Sequence, residues 1–92
     1  MALVTGQKLE IEDEAVALGP SALAVDGVDI KALVDNDDLV WVGGPDVNAG
    51  TGVFIAAGES VFVKSVHGNL ANPAEIYLFA STGSQGVCYI VR

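Results

Sequence analysis

Hydrolytic or group-transfer chemistry in this chain would have to start from one histidine, His67, one cysteine, Cys88, or the serines Ser21, Ser60, Ser65, Ser81 and Ser84. A triad needs a nucleophile, a base and an orienting group within hydrogen-bond reach of one another. None of the serines stands in a nucleophile-elbow pattern. His67 sits in a loop beside Gly68, with no perturbing partner in the sequence. Cys88 lies in the apolar run 87–91, where a thiol packs as a small hydrophobe and is a poor nucleophile. No catalytic residue is assigned, and the chain is read as non-enzymatic.

Metal chemistry fares similarly. Zinc needs three or four Cys, His or acidic ligands at defined spacing. Asp35-Asn36-Asp37-Asp38 gathers hard oxygens into one turn, and Asp46-Val47-Asn48 adds two more, but neither has the twelve-residue calcium loop or its closing Glu. Asn and Asp also occur in turns because they bond their own backbone, so the segment reads as an Asx-rich turn, with a calcium-stabilised turn as the alternative. Gly43-Gly44-Pro45 and Gly50-Thr51-Gly52 are not phosphate loops, since neither carries a lysine or leads into a helix. Glu10, Glu12, Asp13 and Glu14 read as a solvated edge that discourages strand-to-strand aggregation. No metal and no cofactor is assigned.

The elements that carry these residues are short. Eleven glycines punctuate runs rich in Val and Ile, the spacing of an antiparallel β protein. Strands are expected at 8–12, 28–34, 39–42, 53–55, 60–66, 75–80 and 87–91, with a hairpin turn at 35–38 joining 28–34 to 39–42, and the segment 15–18 ends at Gly19-Pro20. Loops are expected at 46–52 and 67–73, a turn at 81–86, and a single helical turn at 20–24. Six to eight short strands with little or no helix predict one all-β domain over residues 1–92, an antiparallel β-sandwich or small β-barrel, jelly-roll-like. Residues 1–26 read as a partly extended N-terminal arm or as edge strands.

Several of these strands are apolar on both faces. Val61 and Val63 oppose Phe62 and Val66, while Ile76 and Leu78 oppose Tyr77 and Phe79. A free-standing sandwich needs one dry face per strand, so the second face is expected to meet a loop, another sheet or another subunit. The composition agrees: 51% of the residues are hydrophobic and the mean hydropathy is +0.49, high for a small domain. Small Ala and Val residues that raise the index without forming a patch are the alternative. Trp41, Phe54, Phe62, Tyr77, Phe79 and Tyr89 are the candidate interface residues. A sugar platform of Trp41, Tyr77 and Tyr89 is the weaker reading, because each lies within an apolar strand.

Twelve acids against four lysines and arginines give a formal charge of −8. Such a field repels nucleic acid and anionic membranes, and no apolar run approaches the roughly 20 residues that span a bilayer. Neither partner is expected. One cysteine excludes an intramolecular disulfide, and residues 1–6 lack the basic start and apolar core of a signal peptide. A soluble protein made in a reducing compartment is expected.

Three segments carry a family resemblance: Trp41-Val42-Gly43-Gly44-Pro45-Asp46-Val47, then Gly52-Val53-Phe54-Ile55-Ala56-Ala57-Gly58-Glu59-Ser60, then Ile76-Tyr77-Leu78-Phe79-Ala80-Ser81. Together they resemble small structural proteins of tailed bacteriophages, over residues 28–92 well and over the first third weakly. The chain departs from that pattern at Phe54 and Ile55, where a leucine or smaller residue is expected, and in a longer 67–73 loop. These are turn and packing signatures, so the resemblance implies a fold and a virion context, and no active-site residue. It implies a capsid decoration (cement) protein on the major capsid protein shell, made in the host cytoplasm and located in the virion, with homo-oligomerisation, a trimer favoured. The alternative it implies is a neck, tail or fibre module bound to other virion proteins.

Overall fold

The computed structural model describes residues 4–66, 70–81 and 83–92. Within them eight strands form two antiparallel four-stranded sheets. The strands are β1 (Val4–Ile11), β2 (Val16–Ala17), β3 (Gly27–Ala32), β4 (Val40–Gly43), β5 (Val53–Ile55), β6 (Ser60–Lys64), β7 (Tyr77–Phe79) and β8 (Gln85–Val91). The first sheet, A, has the order β1-β8-β3-β6, and the second, B, has β2-β7-β4-β5. The pairs β4·β5, β3·β6, β2·β7 and β1·β8 therefore nest one outside another, as in a long two-stranded ribbon folded across two layers. That is the jelly-roll topology.

The central strands of the sandwich turn their aliphatic side inward. Val28, Ile30 and Ala32 of β3, Val40 and Val42 of β4, Leu78 of β7 and Val87 and Val91 of β8 are buried in one core, joined by Ile11, Leu18, Ile55 and Ile76. Tyr89 lies with them. It pairs with Gly6 across β1 and β8, and its ring fills the space that a side chain at Gly6 or Gly19 would take. The two glycines are what allow an aromatic ring into this narrow core. Tyr89 was expected at an interface; its place inside the sandwich, 6% exposed, removes it from the surface.

Three further expectations are corrected. The 35–38 turn does not close a hairpin, because β3 belongs to sheet A and β4 to sheet B. It carries the chain across the sandwich instead, and its side chains dock on β8. Asn36 Nδ2 donates to the Gly86 carbonyl (2.8 Å) while its Oδ1 accepts from the Gly86 N–H (2.9 Å). Gln85 Oε1 accepts from the Asp37 N–H, and Gln85 Nε2 donates to the Asp37 carboxylate (2.6 Å). Residues 20–24 form no helical turn; the segment is tied to 70–72 through Ala24 N–H donating to the Ala71 carbonyl. The helical turn is a 3₁₀ turn at Pro73–Glu75. Cys88 is not in the core. It shares a face with Gln7 and Lys31, its cross-strand partners, and is half-buried on the outside of sheet A.

Buried polar groups at the opposite end of the sandwich are fully used. Asn72 Oδ1 accepts from the N–H groups of Ala22 and Ala74, and Nδ2 donates to Ser21 Oγ. Replacing Asn72 by Ala strands two backbone donors, at a cost of about 1–3 kcal/mol. In a domain of this size that is a fall in melting temperature on the order of 10 °C, measurable by circular dichroism.

Candidate functional site

Alternation along sheet B sends one set of side chains outward. Val40 and Val42 face in, so Trp41 faces out, and β5 and β7 behave alike with Phe54 and with Tyr77 and Phe79. Cross-strand register then aligns them: Trp41 stands opposite Phe54 on one side and Phe79 on the other, with Gly43 opposite Tyr77 in the next row. The Trp41 and Phe54 rings meet at 5.2 Å between centroids with a 60° tilt, a favourable edge-inclined arrangement. Phe54 is 54% exposed, and Trp41, Tyr77 and Phe79 are half-buried. Four of the six candidate interface residues thus share one outward face.

Phe62 lies elsewhere. It projects from the outer face of sheet A, 39% exposed, beneath the Arg92 guanidinium at 4.8 Å from the ring centroid. Arg92 also pairs with Asp29 at 3.0 Å, both side chains being well solvated, so the pair is worth at most about 1 kcal/mol. A shallow depression of about 530 Å³ beside it is lined by Thr5, Lys31, Ser60, Cys88 and Ile90, among others. A second groove, of about 410 Å³, opens between the sheets at the β5 and β6 edges, bordered by Val42, Val53, Val61 and Phe62.

Charge divides the molecule in a way the sequence did not display. The described residues of the connections after β1, β3, β5 and β7 (12–15, 33–39, 56–59 and 80–81 with 83–84) meet at one end of the sandwich. Ala80 N–H donates to the Glu12 carbonyl (2.8 Å), Ala32 N–H to that of Glu59 (2.8 Å) and Leu33 N–H to that of Gly86 (3.0 Å). Seven of the twelve acids lie in these connections (Glu12, Asp13, Glu14, Asp35, Asp37, Asp38 and Glu59) with no lysine, arginine or histidine among them. All four basic residues, Lys8, Lys31, Lys64 and Arg92, belong to strands of sheet A or directly follow one. Sheet B carries no basic residue.

Among the described residues, no group of three or more His, Cys, Asp or Glu is arranged to hold a metal. The Asp37 carboxylate accepts from Gln85 and that of Asp38 from the Leu39 N–H, so both have roles in shaping the loop. His67 lies outside the described residues, as do parts of the expected 67–73 loop and 81–86 turn. No protein-family model matches the chain, and comparison with curated proteins and with solved structures found no match.

Proposed function

We propose that this chain is a non-enzymatic virion structural protein, a capsid decoration protein that docks on the major capsid protein shell of a tailed phage. The observation that carries this reading is the row Phe54-Trp41-Phe79, with Tyr77 beside it, on the outward face of sheet B. A sheet in a sandwich this small has no need to spend its aromatic residues on solvent, and contiguous exposed apolar surface marks a contact. A specific contact covers about 800 Å² on each partner, against 5193 Å² of total accessible surface here. The strong negative charge keeps such a chain soluble before it docks. Many copies on one shell multiply a modest single-site affinity. The phage-protein resemblance of the 41–47, 52–60 and 76–81 segments supplies the particle context.

Particles assembled without this chain should lose their genome at a lower temperature than complete particles, and adding the purified chain should restore the difference. Unchanged heat resistance would count decisively against a cementing role. Gold-labelled chain should cover the shell; label confined to one vertex or to the tail would move the protein to the neck, tail or fibre.

A further inference from the structure

We infer that β6, a free edge of sheet A, pairs antiparallel with the β6 of a second copy of this chain, across a two-fold axis at Phe62. The inference does not depend on the decoration reading. Backbone polarity along β6 sets the register. Ala32 N–H donates to the Glu59 carbonyl and Ser65 N–H to that of Asp26, while Val61 and Val63 stand opposite Ile30 and Val28. In an antiparallel pair, residues bonded to the partner strand alternate with residues whose backbone groups point away from it. Ser60, Phe62 and Lys64 therefore turn their N–H and C=O groups to the side on which β6 has no neighbour among the described residues. A two-fold axis at Phe62 sets Phe62 against Phe62 and Ser60 against Lys64 of the other copy. Each of these donors then meets an acceptor, with six bonds across the contact.

The side chains agree with that register. Val61 and Val63 pack against the core yet are only half-buried. They border the groove of about 410 Å³ together with Val53, itself 58% exposed. In the pairing, Val61 lies opposite Val63 of the other copy, aliphatic against aliphatic beside that groove. The Phe62 ring leaves the edge open, since it lies back over Gly27 and beneath Arg92. Lys64 meets a serine, so no like charges stand directly opposite each other. The strands of sheet A with Arg92 hold four basic residues against Glu10 and Asp29, on a chain of formal charge −8, so two copies meeting here escape its general repulsion.

The other edges are poorly suited. β2 and β5 have two and three residues. β1 is interrupted by a bulge between Lys8 and Ile11, with Glu10 at φ +59°, and bulges and charges are how edge strands refuse a partner. β6 has neither bulge nor proline. Matched backbone groups, matched side chains and closure about one axis make a second copy the occupant.

Sedimentation of the full-length chain should show its mass rising from one copy toward two between about 10 μM and about 1 mM, the range for a contact below about 800 Å² per partner. Phe62→Lys and Phe62→Glu, each checked for folding by circular dichroism, should each raise the dissociation constant roughly tenfold or more, because like charges then face each other at the axis. Mixed in equal amounts, the two variants should recover association, since opposite charges then meet. Ser60→Glu, at an exposed position, opposes Lys64 of the other copy and should tighten the dimer about threefold. It carries the test if a Phe62 variant fails to fold.

A wild-type chain that stays monomeric at about 1 mM would overturn this inference and leave the decoration role standing. A trimer, or an oligomer that neither Phe62 variant weakens, would put self-association on another surface and also overturn it. A mixture that associates no better than its components, or a Ser60→Glu chain no tighter than wild type, would do the same.

Discussion

Replacing Gly6 by Ala is expected to destabilise the protein by about 1–3 kcal/mol, the cost of overpacking a close-fitted core. A methyl group there overlaps the Tyr89 ring at Cζ and Oη and comes within 2.7 Å of Cε1. The ring cannot retreat, because its tip occupies the space beside Gly19 and its body sits among core residues. Chemical denaturation gives the loss directly, and a double-mutant cycle identifies its cause. In a Tyr89→Leu background, itself less stable, Gly6→Ala should become nearly neutral, since the partner in the overlap is gone. An equal penalty in both backgrounds would mean that the glycine serves β1 for some reason other than the ring.

Gly27→Ala is expected to cost at least as much, about 2–4 kcal/mol, for two reasons acting together. Gly27 has φ +153°, a conformation that side-chain-bearing residues rarely adopt. Its missing Cβ would also meet the Val63 carbonyl oxygen, a backbone atom of the paired strand, and the Phe62 ring at 2.6 Å. The glycine lets β3 start where Arg92 N–H donates to its carbonyl at 2.9 Å, so strain there loosens both neighbours of β3. The melting temperature should fall by ten degrees or more. Phe62→Ala in the same background should recover only part of the loss, because the carbonyl remains.

How far the sequence reached can be traced through particular residues. Strand positions were legible because the inward aliphatics and the glycine or Asx breaks are local signals. Each expected strand overlaps an observed one, although β1 begins four residues earlier and β8 two residues earlier than expected. The outward parity of Trp41, Phe54 and Phe79 was also local. That they form one row was not, because it depends on β4 lying between β5 and β7, a long-range arrangement. The 35–38 segment misled for a physical reason: Asn and Asp satisfy backbone groups equally well in a hairpin and in a crossing between sheets. Only its partners, Gln85 and Gly86, distinguish the two.

Tyr89 misled differently. Residues 87–91 are apolar on both faces, so periodicity does not say which side turns inward. The deciding features, Gly6 and Gly19, are some seventy to eighty residues away in sequence. The acidic end was visible only as separate clusters at 12–14 and 35–38. Their meeting follows once alternate connections of a jelly roll are placed at the same end.

The nested strand pairs also set how the chain must find its fold. β4 and β5 are joined through residues 44–52, and each further pair, β3·β6, β2·β7 and β1·β8, encloses the one before. Closing β1 on β8 first would confine nearly the whole chain in a single loop, whereas closing β4 on β5 first shortens every later search. The topology thus favours zippering from the middle outward, with Tyr89 seated over Gly6 only in the last step. Such non-local pairing makes folding slow, on the order of milliseconds to seconds, and during that interval the aromatic rings of β4, β5 and β7 are exposed before their strands are joined. The acidic connections that ring the finished end are already charged then, and their repulsion keeps unfinished chains apart.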